Sequence, residues 1–120
     1  MRSEDVEQEA VIAWAHMEER YLPDLKMLYH VPNERKCTVQ QGAKLKRLGV
    51  RAGVPDLILD VARGNYHGLR IEMKAMGGRA TPAQKEWLDQ LRLQGYAATI
   101  CYGAEAAIKV LKDYLEKGIV

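Results

Sequence analysis

The stretch "GVPDLILDVARGNYHGLRIEMKA", residues 53–75, sets two short apolar runs on either side of a glycine-containing turn and so reads as a β-hairpin. Each run carries charge where packing alone calls for none: Asp56 at the start of the first, Glu72 and Lys74 at the end of the second. Successive strand residues point to opposite faces, so Glu72 and Lys74 share one face while Ile71 and Met73 share the other. A turn around Gly64 sets Asp56 opposite Glu72, and two carboxylates then project together with an amine two residues along. Close carboxylates repel, and a site that keeps both ionised at neutral pH usually holds a cation between them. Oxygen ligands of this kind suit Mg²⁺ or Mn²⁺, and Lys74 stands where it can position an attacking water or stabilise charge on a phosphoryl oxygen. The same residues also allow an exposed strand face with a cross-strand Lys–carboxylate pair, worth about 0.2–1 kcal/mol. Spacing alone does not separate the two.

Working outward, residues 4–20 carry Val6, Ala10, Ala13, Trp14 and Met17 at helical spacing, with Val11, Ile12 and Ala15 on a second face. Such a helix is apolar over most of its circumference and is expected to be largely buried. Residues 25–31 read as a strand ended by Pro32, and residues 40–48 as a short basic helix stopped by Gly49. The hairpin strands fall at 57–61 and 69–73. Thr81-Pro82 opens a helix with Ala83, Trp87, Leu88 and Leu91 on one face and Gly95 where a C-terminal glycine belongs. A last strand at 96–102 and an amphipathic helix from Ala104 to Leu115 complete the order α-β-α-β-β-α-β-α. Mixed order of this kind predicts an α/β fold, a central mixed β-sheet flanked by helices.

At 120 residues with 48% hydrophobic content, the chain suits a single domain over residues 1–120. No signal peptide or membrane span is expected, because every uncharged apolar run falls far below the roughly 20 residues a bilayer requires. Cys37 and Cys101 lie far apart and form no CxxC, which fits a reduced, cytoplasmic protein. Charge is unevenly spread. The first 24 residues are acidic, whereas Arg35, Lys36, Lys44, Lys46, Arg47 and Arg51 follow one another with no acid between them. His16, His30 and His67 are isolated and lack metal-ligand spacing. The absence of Phe speaks against a platform for stacking single strands.

Pro55-Asp56, then Glu72-Met73-Lys74, resembles the PD-(D/E)xK nuclease signature. The surrounding segments "PNERK" (32–36), "GAKLKRLGVRAGVPDLIL" (42–59) and "GLRIEMKAMGGRATPAQKEWLDQLRLQGYAATICYG" (68–103), with the acidic first helix, resemble one branch of it, the virus-type replication-repair nuclease (VRR-NUC) domain. PD…ExK alone is a weak pattern. "GVPDL", "ExK" and "TPAQ" in this order and spacing form a specific one, and the resemblance spans nearly the whole chain, as in a minimal standalone member. It implies a restriction-endonuclease-like core and Mg²⁺- or Mn²⁺-dependent hydrolysis of phosphodiester bonds in DNA.

Carried over residue by residue, the resemblance implies Asp56 and Glu72 on the metal, the backbone carbonyl of Met73 as a further ligand and Lys74 beside the attacking water. It also implies a glutamate from the first helix, a role for which Glu4, Glu7 and Glu9 compete. Glu4 heads the stripe through Gln8, Val11 and Ala15 and is preferred; Glu7, one turn before Val11 and Trp14, is the runner-up; Glu9 projects with His16 on a more polar side. All three acids can instead simply complement the helix N-terminus, worth roughly 0.3–1 kcal/mol. Gln84 has two readings. Thr81-Pro82-Ala83-Gln84 is a capping-box pattern, while the resemblance puts this glutamine near the scissile phosphate. Asn33 is a turn residue by type and a site neighbour by resemblance. Asp60 is expected to share the face of Asp56 as a solvated or structural acid.

Lys44, Lys46, Arg47 and Arg51 precede the acidic strand and form the candidate DNA footprint, holding phosphates without reading sequence; Arg79, in the loop "MGGRAT", can close on the duplex. A solvated basic face is the plainer alternative. Small standalone nucleases of similar kind cut four-way (Holliday) junctions as homodimers, and two symmetric nicks are what an isologous dimer supplies. The expected partner is therefore branched DNA. A flap or nicking nuclease in replication and repair, and a catalytically silent DNA-binding module, are the alternatives.

Overall fold

The computed structural model describes residues 2–32 and 37–120; Asn33, Arg35 and Lys36 lie outside the described residues. The elements follow in the order α1 (Glu4–Glu18), β1 (Leu28–His30), α2 (Val39–Arg47), β2 (Leu57–Leu59), β3 (Leu69–Lys74), α3 (Pro82–Leu93), β4 (Ala97–Tyr102) and α4 (Ala104–Lys117). The order read from the sequence is the order of the fold. A single four-stranded sheet runs β1-β2-β3-β4, antiparallel except for the β3–β4 pair, which is parallel. That one parallel step follows from chain length: β2 returns to β3 through a hairpin, whereas β3 reaches β4 only after the crossover helix α3.

Register is set by which side chains must be buried. Leu57 pairs with Ile71 and Leu59 with Leu69, and Leu69, Ile71 and Met73 stand beside Ala97, Thr99 and Cys101. Leu57, Leu59, Leu69, Ile71 and Met73 join Val11 and Ala15 of α1 and Ala107, Leu111 and Tyr114 of α4 in one apolar cluster. A one-residue slip would turn every one of these strand residues out of the core. Helix α3 packs against β4 and buries Leu88.

The first helix departs from expectation. Its fully buried stripe is Glu7, Val11 and Ala15, while Val6 and Met17 are 44% and 73% exposed. The face of α1 that carries Val11 and Ala15 meets α4 and β3, while on the other face Ala10 and Trp14 pack at the edge of the core and Val6, Ala13 and Met17 stay exposed. The expected strand at 25–31 is also shorter. Pro23 opens a 3-10 turn, Pro23–Met27, which buries Leu25 and leaves three residues for β1. A 3-10 turn places side chains at a spacing of three, so residues 23–27 do not alternate between faces as a strand does.

Helix ends obey local chemistry. Thr38 caps α2 and Thr81 caps α3, each through a complete capping box with Gln41 or Gln84. Gly53, with φ +90°, approaches α3 so closely that a Cβ there would sit 2.6 Å from the Ala83 carbonyl oxygen and 2.8 Å from Trp87 Cδ1. Trp87 Nε1 donates to the Ala52 carbonyl at 2.9 Å. These contacts fasten the segment that leads into Asp56 to the first turns of α3.

Candidate active site

The hairpin turns at Gly64-Asn65, between Arg63 and Tyr66, and the β2–β3 register carries Asp56 opposite Glu72. Asp56, Glu72 and Lys74 are all buried, at 3%, 2% and 5% exposure, so this is not a solvated strand face with a casual ion pair. The first turn of α1 brings Glu4 to the same place, and one carboxylate oxygen from each of Glu4, Asp56 and Glu72 lies within 4.8 Å of the others. Lys74 Nζ stands 3.9 Å from Glu72 Oε2 and 4.0 Å from Glu4 Oε2. The Met73 amide donates to Asp56 Oδ2 at 2.8 Å and fixes that carboxylate. His30 Nδ1 and the Val31 amide both reach the Asp56 backbone carbonyl, at 2.8 and 2.9 Å, and tie the end of β1 to the same residue.

Packing the acids together has an electrostatic consequence. Burial, and then the neighbouring Asp56 charge, push the Glu72 carboxyl up to about 8, with Lys74 pulling the other way. Among the described residues, Glu72 Oε1 is buried without a hydrogen-bond partner. A buried acceptor left unpaired costs about 1–3 kcal/mol. A cation among these oxygens would remove that cost, and an all-oxygen donor set fits Mg²⁺ or Mn²⁺.

The three first-helix acids separate cleanly. Glu4 joins the carboxylates. Glu7 is buried and heads the Val11–Ala15 stripe that the sequence had assigned to Glu4; its Oε2 accepts from the Ala104 amide at 2.5 Å, and its Oε1 pairs with Arg2 Nε at 3.0 Å. Helix α4 begins after Gly103, which has no side chain to cap it, so Glu7 supplies the cap from another helix. Glu9 is exposed. The sequence carried a signal for this that went unused: an uncapped helix start at "YGAE" implies an acceptor from elsewhere.

Gln84 spends its side-chain oxygen on the Thr81 amide at 2.8 Å, as the N3 member of the capping box, which leaves only its NH₂ to face a ligand. Asp60 accepts from Tyr29 Oη at 2.9 Å and pairs with Arg70 at 3.5 Å, a structural acid. Lys44, Lys46, Arg47 and Arg51 are exposed, the first three on α2 and the fourth in the segment leading to Asp56, and Arg79 is exposed in the loop after β3. Among the described residues, neither Cys37 nor Cys101 is in a disulfide. Burial pushes the Cys101 thiol up to about 12, which makes it inert packing. No helix among the described residues is long and apolar enough to cross a membrane.

Among curated proteins none matches the chain. A solved structure described as a VRR_NUC domain protein is 40% identical, with 96% of this chain and 89% of that one covered and a TM-score of 0.82. The sequence pattern of the VRR-NUC domain matches residues 2–105. With that match over most of the chain, and a neighbour alike in both sequence and fold, the chain belongs to the VRR-NUC family of nuclease domains.

Proposed function

We propose that the chain is a metal-dependent DNA endonuclease in which Glu4, Asp56 and Glu72 hold Mg²⁺ or Mn²⁺. The observation that carries this is the convergence of three carboxylates from three segments of the chain around a buried lysine, with one Glu72 oxygen left unpartnered among the described residues. The bound cation would neutralise phosphoryl oxygens and lower the cost of deprotonating the attacking water. In an extended residue the N–H and C=O point to the same strand edge, and the Met73 N–H points at Asp56; its carbonyl is therefore the further ligand. Lys74, held by Glu4 and Glu72, orients the water and donates to the phosphoryl oxygen as the new P–O bond forms and the bridging P–O bond breaks. The Gln84 NH₂ donates to the scissile phosphate while its oxygen stays in the cap. Lys44, Lys46, Arg47, Arg51 and Arg79 hold flanking phosphates, a role the family resemblance extends to Asn33.

The substrate in this reading is branched DNA, a four-way junction nicked symmetrically by a homodimer. One site cuts one strand, and two basic faces at a fixed angle match diverging arms better than a continuous duplex. Two cysteines outside any disulfide among the described residues fit a reducing, cytoplasmic setting. The deciding experiment incubates a four-way junction, a 5′ flap and a linear duplex of shared sequence with the protein and Mg²⁺ or Mn²⁺, alongside a native mass measurement. A dimer that nicks opposed junction strands and spares the duplex is expected, with no cutting in EDTA or by Asp56→Asn. A monomer that prefers the flap overturns the junction reading, and undiminished cutting in EDTA overturns the metal mechanism.

A further inference from the structure

Between the segment after α2 and the outer side of α3 lies a cavity of about 500 Å³, a size typical of small-ligand sites. Lys46 and Arg51 form one wall, and Glu86, Trp87 and Gln90, one turn apart on α3, form the other. The Trp87 indole is held by two backbone contacts, the 2.9 Å hydrogen bond to the Ala52 carbonyl and the close approach of Gly53. It is a flat surface fixed before any ligand arrives. By contrast, the side chains of Lys46, Arg51, Glu86 and Gln90 have no hydrogen-bond or ion-pair partner among the described residues.

We infer that this cavity is a subsite for one unpaired nucleotide of the DNA substrate, an inference that rests on the nuclease reading above. Each part matches a part of a nucleotide. The indole offers a face for the base, Lys46 and Arg51 offer charge-assisted donors for its phosphate, and Glu86 and Gln90 offer an acceptor and a mixed amide for the base edge. Only an unpaired base can use them all, because in a duplex both faces are stacked and the pairing edge is occupied. Glu86 would repel a phosphate, so a purely backbone-tracking groove does not explain its presence in the lining. The chain's lack of an extended aromatic platform agrees with this: one fixed indole takes one base. Because residues 51–53 run directly into Asp56, a base seated here would anchor the strand beside the carboxylates.

The test uses three four-way junctions in EDTA: fully paired, with one unpaired cytosine at the branch point, and with that nucleotide abasic. The unpaired base is expected to tighten binding about 5- to 100-fold, as stacking of one base on an aromatic ring does, and the abasic junction to lose the gain. Of the two tryptophans, Trp14 is replaced by Phe so that Trp87 is the one indole, excited selectively over the tyrosines; quenching by the unpaired cytosine, absent with the abasic junction, is the second expected result. Trp87→Ala should erase the difference between junctions, and Gln90→Ala on the exposed side of α3 should reduce it should Trp87→Ala fail to fold. Equal affinity for all three junctions overturns the subsite. A fully paired junction that is cut with Mg²⁺ while the unpaired base adds nothing removes the subsite and leaves the nuclease, whereas failure to bind or cut any of these junctions, the flap or the duplex removes both.

Discussion

Glu4 and Glu7 stand one turn apart on α1, and replacing each by Gln separates a ligand from a cap. Glu7 Oε2 accepts from the buried Ala104 amide at the start of α4. Glu7→Ala leaves that N–H without a partner in a buried place, a cost of about 1–3 kcal/mol, and removes a negative charge from a partly buried helix N-terminus, worth up to about 2 kcal/mol. Its pair with Arg2, whose side chain is 58% exposed, adds almost nothing once solvent screening is counted. The total expected loss is about 2–4 kcal/mol. For a chain of this size about 4 °C of Tm accompanies each kcal/mol, so Tm should fall by roughly 8–16 °C. Glu7→Gln keeps an acceptor and loses only the charge, so a fall of about 2–6 °C is expected.

Glu4→Gln should behave in the opposite way. Its carboxylate belongs to the cluster with Asp56 and Glu72, so the metal-free Tm should move by less than about 2 °C. Its Mn²⁺ affinity should fall at least about tenfold, the smallest loss ordinarily seen when even a supporting residue of a metal site is removed. Thermal melts in EDTA and calorimetric titration with Mn²⁺ on the same preparations give both numbers. The reasoning is refuted if Glu7→Gln weakens Mn²⁺ binding as much as Glu4→Gln does while leaving Tm unchanged.

Three other outcomes follow from the geometry. The Glu72 carboxyl is raised from 4.5 to about 8, so its contribution to metal-free stability is complete below about pH 4.5 and is lost as pH rises through about 8; melts in EDTA across that window should show the decline, and Glu72→Gln should flatten it. Single Ala replacements of Lys44, Lys46, Arg47 and Arg51 should each reduce the salt slope of DNA binding by about one unit with little change in sequence preference, measured by titration across salt concentrations. Gly53→Ala, which combines a positive φ with a 2.6 Å collision against the Ala83 backbone, should cost about 2–5 kcal/mol by urea denaturation.

What could be read from the sequence was what repeats locally. Period-two alternation located β3 and its charged face, and the Thr81–Gln84 spacing located the capping box that opens α3; the matching box at Thr38 and Gln41 went unread. Contacts between distant segments left no such trace. Whether α1 would be covered on one face or two depended on where α4 lay, and the answer exposed Met17 and buried Glu7. The same ignorance left the three acids of α1 unresolved, because helical spacing says which side chains share a stripe but not what the stripe meets. The Trp87 cavity was equally hidden. Trp87 sits at a spacing that suits a core residue, and only the approach of Gly53 and Ala52 shows that one side of its ring is held by backbone while the ring still lines an open wall.

The question posed by acid in the strands of "GVPDLILDVARGNYHGLRIEMKA" has an electrostatic answer. Folding places Asp56 and Glu72 in the interior with Lys74, and α1 adds Glu4, so three carboxylates face a single ammonium group. That ammonium is not enough: despite Lys74 within 4 Å, burial and Asp56 still win, and Glu72 is driven toward its neutral form. Replacing a buried charged cluster with well-packed apolar residues is often neutral or stabilising, so stability does not account for the acids. A divalent cation would balance the remaining charge, restore Glu72 to its ionised form and give Glu72 Oε1 the partner it lacks. Charge balance thus favours a cation of charge two over a second lysine, and it predicts that binding the metal releases a proton at pH 7. Calorimetric titrations of Mn²⁺ in buffers of different ionisation enthalpy should give heats that differ in proportion, and identical heats would mean that Glu72 was already ionised.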